Sequence, residues 1–533
     1  MNDSREVRWR LCLAAVSALL IAAPFFSVHF APLLDAPPQM AQMRLFFAYW
    51  SDPELQAVYR VQLLSPYLLS YLILGLNYLL FDPVTAGRMA MLVIGLMWVA
   101  AIHGLAARLG RSPALATLAC VFFFNHFVYW GFYSFAVGLP VFLAFFYLSA
   151  CVPLQDRRLS HSIGLGLAAF LLYYSHAMWA FGAGFWYFCV LVVLRRPPRI
   201  ADLIALSPTG VLSLAWVRGH SSGGEGLELE WTPWLFKLSP EWWVLAALGG
   251  LTGPAEWLLL GFAAALCAAL ASRAFAGASG QADSGSQPEA GFAIVERRLL
   301  VAAGALLLLA LFLPEKGRAT IKGDTRWVPV IWVLLLLAFS DASYERYLRM
   351  VLPVVLAVVV GYSATVWRTM EREEFSGLER TIEATPDGAR VIGLNFAPST
   401  HIRQGRSIFV QMHFYARAFK SVDLQNAFAE FPQVLVTLRE PPDYGWTRGL
   451  EHDPNFVRAQ DLMFFSHVLV NGDKKIHLYF EERPYLEART TGGRWRLYER
   501  VGPPQPGNCM GQPGNMAPPG AAPRVWGYGD VCF

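Results

Sequence analysis

The chain has 533 residues, 55% hydrophobic, 14% aromatic and only 15% charged, with a mean hydropathy of +0.39. Soluble domains carry about 25% charged residues, so this much apolar surface excludes a single soluble core and points to repeated membrane crossings. The formal net charge of +4 is small and dispersed, with no basic arm or RNA-binding motif, which excludes nucleic acid as a partner.

The first apolar stretch, Trp9 to Phe30, follows Arg5, Arg8 and Arg10. It is about 20 residues long and lacks a small-x-small cleavage site, so it reads as a retained signal-anchor helix with its N-terminus inside. The further apolar blocks are Val61–Leu80, Met89–Ala107, Pro113–Tyr129, Phe135–Val152, Ile163–Tyr174, Met178–Leu194, Leu203–Val217, Trp243–Leu270, Leu299–Leu313, Val328–Phe339 and Met350–Val366. Arg108 and Arg111, Asp156-Arg157-Arg158 and the run Arg195 to Arg199 mark inside loops. That sorting holds only if Val61–Leu80 is interfacial or re-entrant, which makes residues 31–86 one external loop holding juxtamembrane helices. Trp243–Leu270 reads as one tilted helix or two short ones, given Gly249, Gly250 and Gly253-Pro254. Residues 271–298 are rich in Gly, Ser and Ala and read as a flexible inside loop.

From about Glu373 short apolar runs such as "ARVIGLNF", "QVLVTLR" and "HVLVNG" alternate with helix-like stretches. The fold expected is therefore an all-α polytopic membrane domain over residues 1–368, with about eleven transmembrane helices plus juxtamembrane helices. A small C-terminal α/β soluble domain over 369–501 and a Pro/Gly-rich tail over 502–533 follow it. Five of the seven cysteines fall inside apolar segments, where they are small core residues; Cys509 and Cys532 lie in the tail and are placed to form a disulfide if the tail is exported.

The apolar interiors hold almost no ionisable groups beyond His103. A proton-coupled pump places acids at mid-membrane, so an enzyme working at the interface fits better than a transporter. Asp35, at the end of the first helix, reads either as a general base for an attacking hydroxyl or as the N-cap of a helix starting near Pro37. Asp52 poses the same choice before Pro53, as a second carboxylate or a cap. His126, Tyr129 and Trp130 surround an expected external turn, as an aromatic membrane belt or as a sugar or lipid-phosphate contact. His176 ends "LLYYSH" between two short helices, as a structural histidine or a substrate contact. Arg318, Lys322, Asp324 and Arg326 form the densest basic cluster on the expected external side, as solvated loop charge or as a site for an anionic headgroup or phosphate leaving group.

These residues together resemble the GT-C type integral membrane glycosyltransferases, the superfamily of polyprenyl-phosphate-dependent mannosyl- and arabinosyltransferases. The resemblance is carried by Asp35 after the first helix, by the long external loop, and by "GRMAMLVIGLMWVAAIHGLAARLGRSPALATL" from Gly87 to Leu118. "YYSHAMWAFG" and "GDTRWVPVIW" add to it. More narrowly, the chain is similar to bacterial relatives with a D-x-P-x-H start, a WGF turn and an SH turn. Here these stand as Asp35-Ala36-Pro37-Pro38-Gln39, Trp130-Gly131-Phe132 and Ser175-His176, with Gln39 where the relatives often have histidine. The resemblance implies inverting transfer from a polyprenyl-phosphate sugar to a glycan, lipid or protein acceptor, with the first-loop acid as base. It implies a multi-pass protein of the bacterial inner membrane with its C-terminal domain in the periplasm. The alternative is a non-catalytic membrane protein of the same fold that binds or transports lipid-linked glycans. The cofactor stays open, a divalent cation among the options, and no residue is assigned to a metal.

Overall fold

The computed structural model describes residues 3–220, 229–248, 254–280, 290–317, 320–339, 345–397, 399–400, 406–407, 409–425, 428–431, 433–440 and 445–504. The chain divides into two compact units. The first comprises Met1–Val28, Leu63–Leu76 and Arg88–Trp367; the second comprises His29–Gln62, Asn77–Gly87 and Arg368–Phe533.

Among the described residues, five helices are long and apolar enough to cross a membrane: Glu6–Phe26, Pro83–Arg108, Tyr133–Cys151, Ile200–Gly219 and Met350–Glu373. A helix satisfies all its interior backbone groups, which is why apolar runs of this length take that form. Shorter apolar helices include Pro113–Phe123, Leu159–Ser175, Ala177–Val192 and Thr325–Ala338. The block Val61–Leu80 yields only the helix Leu68–Tyr78. Its 11 residues rise about 16 Å, half the thickness of a hydrocarbon core. Trp243–Leu270 resolves into two helices, Pro240–Leu248 and Pro254–Gly280, with residues 249–253 outside the described set. Helical structure also runs into the segment expected to be a flexible inside loop, to Gly280 from one side and from Ala290 on the other.

The first unit is packed through aromatic side chains set against glycines. A Cβ on Gly138 would lie 2.0 Å from Trp179 Cδ1, and one on Gly182 would lie 2.6 Å from Trp327 Cη2. The indole of Trp179 donates to the Phe135 carbonyl at 2.8 Å. His103, the main ionisable exception inside the apolar blocks, meets Ser17 Oγ at 3.0 Å across two helices.

The second unit joins the first loop to the late chain. Helix Ala36–Tyr49 packs on helix Phe414–Phe419. Gln42 Oε1 accepts from the Val436 amide at 2.9 Å, and Arg44 donates to the Phe419 carbonyl at 2.9 Å. Strand Tyr59–Val61 pairs antiparallel with Val436–Leu438. Glu371 accepts from the Phe30 amide at 2.8 Å. The same unit holds a five-stranded sheet of β1 (Arg390–Asn395), β2 (Asp423–Leu424), β3 (His467–Asn471), β4 (Leu486–Ala488) and β5 (Trp495–Arg500). Its spatial order is β4-β5-β3-β1-β2, with β1 parallel to both β2 and β3 and the β3-β5-β4 edge antiparallel. Ile392, Leu394, Leu462, Val468, Val470, Phe480 and Tyr498 form the core around it. The Cys509–Cys532 pairing lies outside the described residues.

Candidate functional site

Helices Leu159–Ser175 and Ala177–Val192 meet at His176, whose extended backbone (φ −169°) interrupts the helical run. Its imidazole Nδ1 caps the second helix by accepting from the Met178 amide at 3.0 Å. The short turn Thr325–Trp327 opens the helix Val328–Ala338. Trp327 is pinned between Trp179 and Phe135, at ring-centroid distances of 5.1 and 5.6 Å. Its neighbour Arg326 is thereby held inside the unit. The guanidinium carbon sits 4.0 Å over the Phe132 ring, Nη2 donates to the Ile321 carbonyl at 2.7 Å, and Nη1 lies 3.1 Å from His176 Nε2. Two residues 150 positions apart, both expected as site residues, thus meet.

The meeting has an electronic peculiarity. Both ring nitrogens of His176 face N–H donors, the Met178 amide and the Arg326 guanidinium. A neutral imidazole has one lone pair and one N–H, so it can accept from only one of them. Burial first, and the charge of Arg326 second, hold the imidazole well below its usual pKa and therefore neutral. If Nδ1 keeps the cap, Nε2–H and the Arg326 Nη1 group are two donors side by side. An anionic oxygen beside them would accept from both.

Lys322 and Asp324 of the expected basic cluster are tied up internally. Arg318 lies outside the described residues. Lys322 pairs with Glu315. Burial pushes the Glu315 carboxyl up, but the hydrogen bond and charge of Lys322, helped by Thr232, outweigh it and leave Glu315 below its ordinary pKa. Asp324 is fully buried and ion-paired with Lys237 at 3.0 Å, and its carboxylate also accepts from the Thr325 amide at 2.8 Å. Lys237 donates to the carbonyls of Ala310, Leu311 and Leu313 at 3.2, 3.2 and 2.9 Å, closing the C-terminal end of helix Ala290–Phe312. Sequence reading passed over Lys237; its signal is a single lysine directly after the apolar "WTPWLF".

His126 is buried, with Nδ1 donating to the Ala246 carbonyl at 2.8 Å and Nε2 accepting from Thr325 Oγ1 at 2.9 Å. One tautomer satisfies both contacts, so His126 steadies the turn that carries Arg326. The Tyr129 hydroxyl accepts from the Trp367 indole at 3.0 Å. Trp130 is half-buried and rests against the Phe132 ring at 5.6 Å. The two buried residues here do not face solvent as an interface belt would.

Asp35 and Asp52 belong to the second unit. Asp52 accepts from the amides of Glu54 and Leu55 at 2.9 and 3.3 Å, a helix cap for Pro53–Val58. Asp35 occupies the cap position of helix Ala36–Tyr49, but its half-buried side chain makes no capping hydrogen bond. One turn on, Gln39 donates its amide to the Asp35 carbonyl at 3.1 Å, and its buried Oε1 has no partner among the described residues. Among the described residues no three His, Cys, Asp or Glu side chains gather as a metal group.

No family model matches the chain, and no curated protein matches it. Among solved structures it resembles ArnT from Cupriavidus metallidurans in the apo state, at 13% identity and a TM-score of 0.52, over 93% of this chain and 98% of that one. ArnT bound to undecaprenyl phosphate matches at 13% identity and a TM-score of 0.48, over 92% and 97%. The mycobacterial arabinofuranosyltransferase AftD matches at 14% and 0.45, over 92% of this chain and 41% of that one. At such identity the apo comparison speaks for the fold alone: the chain takes the fold seen in that ArnT structure, and its long apolar helices are those of a multi-pass membrane protein.

Proposed function

We propose that the protein is an integral membrane glycosyltransferase that moves a sugar from a polyprenyl-phosphate donor to a hydroxyl of a glycan, lipid or protein acceptor. The reaction would run at the periplasmic face of a bacterial inner membrane. The observation that carries this reading is the approach of Arg326 Nη1 to His176 Nε2, 3.1 Å apart on a buried aromatic floor; in the tautomer that keeps the Met178 cap on Nδ1, both are N–H donors. A phosphate oxygen accepts from both, and a fixed cation there stabilises the charge that develops on a leaving phosphate.

The proton goes to Asp35, the acid that stands at the head of the first-loop helix Ala36–Tyr49. In the transfer the acceptor oxygen bonds to the anomeric carbon with inversion, its proton passes to Asp35, and the sugar–phosphate C–O bond breaks with its electron pair leaving on phosphate. Each assignment rests on the geometry of its own unit. His126 and Asp324 serve as positioning residues for the turn of Arg326.

The test is a transfer assay on the purified protein in lipid nanodiscs with radiolabelled polyprenyl-phosphate sugars and an envelope extract as acceptor. The expected result is label transfer by the wild type and a drop of about tenfold or more in polyprenyl-phosphate affinity for Arg326→Gln, one charge-assisted hydrogen bond's worth. Wild-type protein that neither binds a polyprenyl phosphate nor transfers label overturns the reading.

A further inference from the structure

The sheet of the second unit has a topological feature the proposed chemistry does not use. From β1 the chain passes through helix Phe414–Phe419 to β2 on one side, then returns to β3 on the other side of β1. All three strands run parallel, and the order in which they are added to the sheet reverses between β1 and β3. In open α/β sheets the crevice outside the carboxyl ends of the strands at such a reversal is where ligands bind.

The residues at that point are two asparagines. Asn395 ends β1, Asn471 ends β3, and the two are register partners. Both are buried, at 2% and 0% exposure. Asn471 Nδ2 donates to Asn395 Oδ1 at 2.9 Å and reaches the Ala397 carbonyl at 3.3 Å, while Asn395 Oδ1 also accepts from the Ala397 amide at 3.3 Å. That leaves Asn395 Nδ2 and Asn471 Oδ1, a donor and an acceptor, without partners among the described residues. An unsatisfied buried polar atom costs about 1–3 kcal/mol, so two at one strand edge call for an occupant. By contrast Gln425, at the neighbouring β2 end, bonds both its amide atoms to the Gly393 backbone at 2.8 and 2.9 Å.

We infer that the carboxyl edge between β1 and β3 is a binding site for an uncharged saccharide, held by Asn395 Nδ2 and Asn471 Oδ1. Two carboxamides carry no charge, and their spare groups match a ligand that presents an acceptor and a donor side by side. Neighbouring sugar hydroxyls or an acetamido group do so. Phe396 follows Asn395 directly and packs on Phe480 at 5.9 Å, supplying an apolar flank for the C–H face of a sugar ring. The saccharide class rests on the glycosyl-transfer reading; the site itself rests on the sheet.

The experiment uses the full-length protein in detergent with N,N′-diacetylchitobiose and mannobiose as probes. Hydrogen exchange is read over residues 390–397 and 467–473, and affinity by saturation-transfer NMR. A probe that slows exchange in both segments, and binds about tenfold more weakly to Asn471→Leu, is the expected result. Absence of protection by either probe, or unchanged binding to a folded Asn471→Leu, overturns the site. If that variant does not fold, the wild-type protection map decides. Asp35→Asn separates the two readings. It is expected to bind the probes as wild type does and to transfer at least about a hundredfold more slowly; normal transfer by it would remove the catalytic assignment while leaving this site standing.

Discussion

Two helix starts in the first loop follow one local recipe, an aspartate with proline in the first helical turn, and use it differently. Asp52 takes two backbone amides of its helix. Asp35 stands at the same position relative to Ala36–Tyr49 and makes no such bond. A cap contributes about 1 kcal/mol to its helix, a contribution that Asp52 makes and Asp35 does not. The same contrast recurs two residues apart in the late loop. Asp324 is locked to Lys237, while Arg326 bonds the Ile321 carbonyl and brings Nη1 to within 3.1 Å of the His176 imidazole.

The largest expected effect tests the first contrast. Asp35→Asn should lower transfer by about 10²–10⁴-fold, the usual contribution of a general base, with the thermal midpoint unchanged. A midpoint that falls while transfer persists would show that Asp35 is a structural residue after all. Next comes Lys237→Met, which leaves the buried Asp324 carboxylate without its cation. Unfolding in detergent should show a loss of about 3–5 kcal/mol, largely recovered in the double variant with Asp324→Leu.

His176→Asn sharpens the second contrast. An asparagine oxygen can still cap the Met178 amide but lacks the Nε2–H, so polyprenyl-phosphate affinity should drop about tenfold in a folded protein. The depressed pKa of His176 also sets a pH dependence. The unfolded imidazole binds a proton below about pH 6.5 and the folded one does not, so the unfolded state gains protons first. Stability from this group is complete above pH 6.5 and declines as the pH falls below it; that slope should vanish from the melting curves of His176→Asn. The smallest effect is Asp52→Ala, a loss of about 1 kcal/mol read by hydrogen exchange in residues 53–58.

Much of the architecture was legible because apolar length and flanking charge are local properties. The membrane-spanning character, the short first-loop helix at Leu68–Tyr78 and the cap at Asp52 all follow from runs of fewer than thirty residues. Individual candidates such as His176 and Arg326 could be named from their position beside turns. Their relation could not be read, because the contact spans 150 positions and depends on Trp327 being seated against Gly182 and rings from other helices. Lys237 escaped notice for a related reason: a lone lysine gains meaning only once Asp324 and a helix end are folded around it.

By itself the sequence determined that much of the chain forms apolar helices suited to a membrane, since hydrophobic transfer is set residue by residue along a helix. It also determined where helices start, since caps act over three or four positions. Only the tertiary structure decided that the first loop and the chain beyond residue 368 form one unit, through Glu371, Gln42 and the Tyr59–Val61 strand. It alone decided which charges are neutralised and which polar atoms, such as those of Asn395 and Asn471, are left over. Hydrogen bonds and ion pairs are set by distance in space, and residues hundreds of positions apart acquire that distance only when the chain has folded.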